Sequence, residues 1–391
     1  MPIVLVLSLI LGLPVAVLFI QCIAALLSNR SPANNESISP PKVAVLIPAH
    51  NEASCIAATL STLMSELTSQ DSAIVVADNC TDETAAIARE FNAIVLERIE
   101  PTLRGKGYAL DYGLQYLKAN PPDVVVVVDA DCNVHQGAIQ QLARMAVATN
   151  RPVQATYLMK PPANITPKHA VSTLAFMVKN LVRHKGMQQL GLPASLTGTG
   201  MAFPWLVISQ AAVKSGNIVE DKQLGLDLAI AGYPPAFCEQ ALVTGYFPQQ
   251  EQAGNTQKTR WVHGHLQTMV TQIPRLVWES LRQRRFDLFA MALDLSVPPV
   301  SLLVAIWLLV TTIALFSSIV FATSWNPTIL LAIQGLLILI AIISTWIKFG
   351  RTELPLRMLL IIPVYVLSNI PIYKSFIVQR EKDWIRTERD V

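Results

Sequence analysis

Charge is scarce in this chain of 391 residues: Lys, Arg, Asp and Glu make up 15% of it, against about 25% in ordinary soluble domains. The shortage is uneven, since residues 1–29 and 295–347 carry no charged side chain. With 52% of all residues hydrophobic, these stretches argue for membrane segments attached to a charged, folded domain rather than for two soluble domains. The formal net charge is only +3, too small for the basic face of a nucleic-acid binder. Cysteine is sparse too. Cys22, Cys55, Cys80, Cys132 and Cys238 form no C-x-x-C pair and no disulfide framework, which fits a reducing compartment and plain packing roles. No G-x-x-x-x-G-K-[ST] phosphate loop occurs, and Gly198-Thr199-Gly200 lacks the third glycine of a dinucleotide fingerprint.

What is there begins with the uncharged stretches. Residues 2–27 supply more than the ~20 apolar residues that cross a bilayer and lack the basic leader of a cleavable signal, so segment 1–29 reads as a retained transmembrane helix. Arg30 and Lys42 follow it and no positive charge precedes it, which places the next domain in the cytosol. Residues 295–347 are too long for one span and are broken at Trp325-Asn326-Pro327, the pattern of a transmembrane hairpin. Arg282, Arg284 and Arg285 before it and Lys348 and Arg351 after it put both ends in the cytosol. Residues 271–290 interleave basic side chains with Leu276, Val277, Trp278, Leu281, Phe286 and Leu288, as in a helix lying in the membrane interface; an ordinary surface helix is the alternative. Segment 354–378 holds only 16 residues between charges, Met358 to Tyr373, with Pro363 and Pro371 among them. It is expected to be re-entrant or interfacial, followed by a cytosolic tail over 379–391. Neither uncharged stretch contains the ionisable residue that marks an ion or substrate path, so the chemistry belongs to the domain between them.

That domain alternates β-branched runs at 43–48, 73–78, 93–96 and 124–128 with helical periodicity over 52–67, 82–91 and 107–118, the mark of a parallel sheet covered by helices. Ligands of such sheets bind beyond the carboxyl ends of the strands. There the chain places His50, Asn51 and Glu52, then Asp78, then Asp129 and Asp131. Asn79 and Asp82 read as turn or cap residues. Two carboxylates one residue apart after a run of valines repel each other unless a cation lies between them. A hard divalent ion shared with substrate phosphates meets that need, although a D-x-D alone is common. Arg104-Gly105-Lys106-Gly107 opens a helix and can meet an anion with the lysine and backbone N–H groups.

In order, VAVLIPAHNE (43–52), VVADNCTDET (75–84), GKGYAL (105–110), Asp129-Ala130-Asp131, Val219-Glu220-Asp221 and Gln257-x-x-Arg260-Trp261 resemble glycosyltransferase family 2, inverting enzymes of GT-A fold, in its membrane-bound polysaccharide-synthase-like branch. The resemblance covers residues 40–270. It implies a cytosolic α/β GT-A domain, Rossmann-like with a mostly parallel sheet, combined with α-helical transmembrane segments. It further implies that Glu52 and Asp78 contact the base and ribose of a nucleotide sugar, that Lys106 touches the diphosphate, and that Asp129 and Asp131 hold Mg2+ or Mn2+. Asp221 would be the general base with Glu220 beside it; the threonine of the family's T-E-D motif is Val219 here, which leaves the acids in place. The Q-x-x-R-W residues would supply a gate over the diphosphate and an acceptor platform, Arg260 on the donor side and Gln257 and Trp261 on the acceptor side. Gly198 and Gly200 would form an acceptor-side loop, and His263 or His265 a further metal ligand.

Plainer readings stand beside these: an N-terminal capping acid for Asp221, a membrane-surface anchor for Trp261, a simple turn for Gly198 and Gly200. The implied activity is transfer of a sugar, from a uridine diphosphate donor, to a glycan or lipid-linked acceptor at the plasma (inner) membrane. It would serve polysaccharide or glycolipid synthesis, with export partner subunits if a polymer is made. The alternative is a non-catalytic nucleotide-sugar-binding membrane subunit or sensor. A sugar nucleotidyltransferase is disfavoured because its glycine- and arginine-rich opening loop is absent.

Overall fold

The computed structural model describes residues 2–27, 40–162, 165–213, 219–351 and 354–378; Arg30 and the expected tail over 379–391 lie outside the described residues. The chain divides into two compact units. Of the described residues, one comprises 40–162, 193–213 and 219–260, and the other 2–27, 165–192, 261–351 and 354–378. The domain expected over 40–270 is therefore interrupted. Residues 165–192 belong with the hydrophobic helices, because Ala170, Leu174, Val178 and Val182 join one apolar cluster with Leu11, Val15 and Leu18 of the first helix.

The first unit is built on eight strands: β1 (Val43–Ala49), β2 (Ser72–Asp78), β3 (Ile94–Arg98), β4 (Val124–Val127), β5 (Asn133–Val134), β6 (Val153–Lys160), β7 (Met201–Pro204) and β8 (Ala236–Tyr246). They lie in the order β3-β2-β1-β4-β7-β6-β8-β5. The first four are mutually parallel, and β1, β2 and β4 are buried almost throughout, which is why their sequences are nearly continuous Val, Ile and Ala. The rest is mixed: β7 runs antiparallel to β4 and β6, β8 parallel to β6, and β5 antiparallel to β8. Helices Ile56–Met64, Thr84–Glu90 and Lys106–Leu117 follow β1, β2 and β3. Leu110, Leu114 and Leu117 of the third pack into the core with Leu46, Ile74 and Val76. Gly113 allows that approach, since a Cβ there would stand 2.3 Å from Leu46 Cδ1. The first helix starts at Ile56 instead of 52, because Asn51 adopts a left-handed φ of 55° and turns the chain. Since β1, β2 and β4 are parallel neighbours, their carboxyl ends share one edge, and the acidic residues that follow them gather there.

In the second unit, Ile3–Ala24, Val300–Val320, Asn326–Gly350 and Leu356–Val378 are long and apolar enough to cross a membrane. The last was expected to be too short. Pro363 and Pro371 instead stand in the first turns of helices Ile362–Ser368 and Ile370–Val378, where a missing N–H costs nothing, so the mostly apolar helical stretch extends over 23 residues, Leu356–Val378. The expected interfacial helix over 271–290 is two helices, Glu251–Gln283 and Phe286–Leu295, parted where Arg284 takes a φ of 54°. Trp278, Leu281 and Phe286 are exposed.

A buried polar knot ties this unit. Arg183 donates from Nη2 to Asp294 Oδ1 at 2.8 Å and to its carbonyl at 2.6 Å, and from Nε to Gln21 Oε1 at 2.9 Å. Gln21 Nε2 in turn donates to Asp294 Oδ1 at 2.8 Å. Removing one partner strands a buried charge, which costs about 3–5 kcal/mol. Arg183→Met is expected to lower stability by that amount in detergent unfolding, and Arg183→Met/Asp294→Leu to recover most of the loss.

Candidate active site

The carboxyl edge of the parallel strands presents two clusters. At the ends of β1 and β2, His50 Nδ1 lies 2.7 Å from the Asp78 carbonyl, and the Glu52 N–H donates to Thr84 Oγ1 at 2.8 Å. Asp82 accepts from the backbone N–H groups of Thr84 and Ala53 at 3.0 and 3.1 Å, and Asn79, at φ 52°, accepts from the Glu100 N–H at 2.8 Å. Both are turn-builders, as their residue types foretell. Asp78 is buried. The β2–β3 register puts Arg98 opposite it, and Arg98 Nη1 donates to Asp78 Oδ1 at 2.5 Å. The guanidinium also stands 5.6 Å from the Tyr108 ring centroid. Burial pushes the Asp78 carboxyl above its ordinary range, with Arg98 working against that shift.

The second cluster forms where β4 ends. Gly105, at φ 126°, turns the chain into helix Lys106–Leu117. Lys106 Nζ bonds Asp129 Oδ1 and donates to the Gly198 carbonyl at 2.7 Å. Burial works to lower the Lys106 pKa, but the carboxylates of Asp129, Glu220 and Asp221 outweigh it and hold the ammonium charged. Gly198, at φ 97°, marks where these groups meet: a Cβ there would lie 3.4 Å from Asp221 Oδ2, 3.8 Å from Lys106 Nζ and 4.0 Å from Asp129 Oδ2. Lys106, Glu220, Asp221 and Asp227 line one cleft with Met201 and Val213.

Ligating atoms of Asp129, Asp131 and Cys132 lie within 4.8 Å of one another. Burial, then Asp131 and Asp129, push the Cys132 thiol well above its ordinary value, so it stays a protonated, poor ligand. The two carboxylates are the hard oxygen donors that Mg2+ or Mn2+ takes. The ammonium already resting on Asp129 shows that this pocket accommodates positive charge, so the residues fit a divalent ion.

Glu220 and Asp221 occupy the first turn of helix Glu220–Ile230, whose N-cap is Val219 with no side-chain capping bond. Burial, and then repulsion from Asp221, raise Glu220 from 4.5 to about 7, with Lys106 opposing. A carboxyl raised on folding contributes stability below its unfolded pKa, and that stability is lost as pH rises through the folded value. The unliganded chain is therefore expected to lose stability between about pH 4.5 and 7, with a flatter profile in Glu220→Gln. Thermal unfolding across that range checks this.

Of the other residues singled out in the sequence, Gln257 is buried and Arg260 half-buried on helix Glu251–Gln283. Trp261, next in the chain, belongs to the helical unit, its ring 5.6 Å from that of Phe176. The histidines proposed as metal ligands are engaged within that helical unit. His263 Nε2 bonds the Ile372 carbonyl at 3.0 Å and Ser375 Oγ at 3.1 Å, and His265 Nε2 the Val297 carbonyl at 3.2 Å. Among the described residues the metal-competent cluster is Asp129, Asp131 and Cys132, without His263. Sequence reasoning missed Arg98, although a basic residue ending β3 is the natural partner of an aspartate ending β2. It also missed Gln154 and Thr199, whose signal is a polar side chain inside an apolar strand and a hydroxyl between two glycines.

A family model described as "Glycosyltransferase like family 2" matches residues 40–264. The chain belongs to that family. The chain is 26% identical over 265 residues to a probable glycosyltransferase, YdaM, of Bacillus subtilis, covering 64% of this chain and 61% of that protein. It is 28% identical over 201 residues to the low-salt glycan biosynthesis hexosyltransferase Agl6 of Haloferax volcanii, covering 46% of each. The chain thus matches less than two thirds of either relative's length. The mannosyltransferase PcManGT from Pyrobaculum calidifontis, solved in complex with GDP-Man and Mn2+, superposes with a TM-score of 0.58 at 16% identity, covering 97% of this chain and all of that one. The family 2 domain has the GT-A fold.

Proposed function

We propose that the protein is a membrane-integrated inverting glycosyltransferase that moves a sugar from a nucleoside diphosphate donor to a glycan or lipid-linked acceptor, with Asp221 as general base. The observation that carries the reading is the convergence of Lys106, Asp129 and Asp221 on Gly198. A diphosphate leaving group and an incoming hydroxyl need these groups together: cations at the one, a carboxylate within hydrogen-bond reach of the other. Asp129 and Asp131 would hold Mg2+ or Mn2+, which when bound supplies Lewis-acid neutralisation of the leaving diphosphate. Lys106, freed from Asp129, would pair with the same phosphates. Asp221 would take the proton of the acceptor hydroxyl, and Gly198, lacking a side chain, lets the reacting sugar approach the backbone. Asp78 and Glu52, at the neighbouring strand ends, would receive the nucleoside. Arg260 would close over the diphosphate, and Gln257 and Trp261 would meet the acceptor.

The four apolar helices support placement in a bilayer, and the arginines flanking 295–347 support a cytosolic catalytic domain; the plasma membrane is the proposed location. Uridine is the expected base; the Pyrobaculum structure, solved with GDP-Man, makes guanosine the competitor to include. Purified full-length protein in nanodiscs, offered UDP- and GDP-sugars with Mn2+, should release nucleoside diphosphate and form a product of inverted anomeric configuration. Donor binding without turnover, whatever the acceptor, would favour a sensor or partner subunit instead.

A further inference from the structure

Gln154 is hydrogen-bonded to Thr199, and Thr199 to the backbone of Asp129, the first aspartate of the D-x-D pair. Both are fully buried at 0% exposure. The antiparallel pairing of β4 with β7 ends at Val127 opposite Met201; carried two residues further, it sets Asp129 against Thr199. At that point the ladder changes character. The Asp129 N–H donates to the Thr199 hydroxyl at 3.0 Å instead of to a carbonyl. The Thr199 carbonyl is thereby left to accept from Gln154 Nε2 at 2.9 Å, and Gln154 Oε1 accepts from the Thr197 N–H at 2.8 Å. One buried amide thus grips the loop on both sides of Gly198, whose own carbonyl accepts from Lys106. Gly200, at φ 63°, completes the turn so tightly that a Cβ would stand 2.8 Å from Ala155 Cβ.

We propose that Thr199 and Gln154 are positioning residues that set the affinity of the Asp129–Asp131 pair for its divalent ion, Thr199 by fixing the Asp129 backbone and Gln154 by fixing Thr199. This rests on the reading of those aspartates as metal ligands. Gln suits position 154 because its Oε1 accepts from the loop while its Nε2 donates to it: Leu supplies neither bond, and an ionised Glu cannot donate. Partners that orient metal ligands typically change metal affinity by about 10–100-fold when removed.

The test uses the full-length protein with Mn2+ alone, followed by electron paramagnetic resonance, together with deuterium uptake at residues 128–132. Thr199→Val is expected to bind Mn2+ about 10–100-fold more weakly and to exchange the Asp129 amide faster, Thr199→Ser to restore both, and Gln154→Leu to follow Thr199→Val. Should Thr199→Val not fold, Thr199→Ala, which adds no apolar bulk, serves in its place. Unchanged Mn2+ affinity and exchange in these variants overturn the proposal, even where the melting temperature falls. Wild-type protein that binds no Mn2+ would instead contradict the metal reading, and the exchange measurement, which needs no metal, would still decide whether Thr199 fixes Asp129.

Discussion

Asp221→Asn is expected to cut turnover by about 10²–10⁴-fold, the contribution of a positioned general base, while donor affinity stays near that of the wild type. The geometry makes the split clear. Asp221 reaches the Gly198 side of the cleft, where an acceptor would enter, whereas the donor's phosphates would be met by Lys106 and the aspartates after β4. Helix Glu220–Ile230 is capped without an Asp221 side-chain bond, so the substitution removes a proton acceptor and no capping bond, while easing the repulsion on Glu220. Single-turnover kinetics with donor binding measured by calorimetry would show it. A parallel loss of donor binding, or of stability, would return Asp221 to a structural role.

The second large effect is expected at Lys106. Its ammonium is the counterion of Asp129 and stands near Glu220 and Asp221, and in the working enzyme it would face the departing diphosphate. Removing one such electrostatic group from a water-excluded site costs about 10²–10³-fold in kcat. Lys106→Met should show that loss together with a raised KM for donor, because the side chain would serve ground and transition states alike. It should also raise the apparent pKa of Glu220, since the lysine is what opposes that carboxyl's upward shift. Lys106→Arg, which keeps the charge but presents a planar fork, should recover binding more than rate. Steady-state kinetics over a donor series, with pH-dependent unfolding of the same variants, measures both parts.

Much of this site could be read from the letters because parallel strands impose simple rules. Buried on both faces, β1, β2 and β4 are nearly pure β-branched runs, and the residues just after them must share an edge. Glu52, Asp78, Asp129 and Asp131 were therefore placed by pattern alone. The antiparallel half was not legible. β7 is only four residues long and β5 two, too short for periodicity, and their partners are set by contacts distant in sequence. That is also why Gln154 and Thr199 escaped notice, since each matters only once β6, β7 and the end of β4 are neighbours.

Residues 165–192 lie inside the span of the family resemblance yet pack with the helical unit, where Arg183 is held by Asp294 and Gln21; that pairing joins positions more than a hundred residues apart and leaves no local pattern. His263 followed Trp261 closely enough to suggest a ligand, but its neighbours turned out to be Ile372, Ser375 and Phe376.

The most direct test of the central claim is the anomalous scattering of Mn2+ in crystals soaked with a non-hydrolysable donor. The account predicts a single strong peak between Asp129 and Asp131, with the diphosphate beside Lys106 and the anomeric carbon facing Asp221. A peak elsewhere, or a donor bound with Lys106 still paired to Asp129 and Asp221 turned away from the sugar, would contradict it.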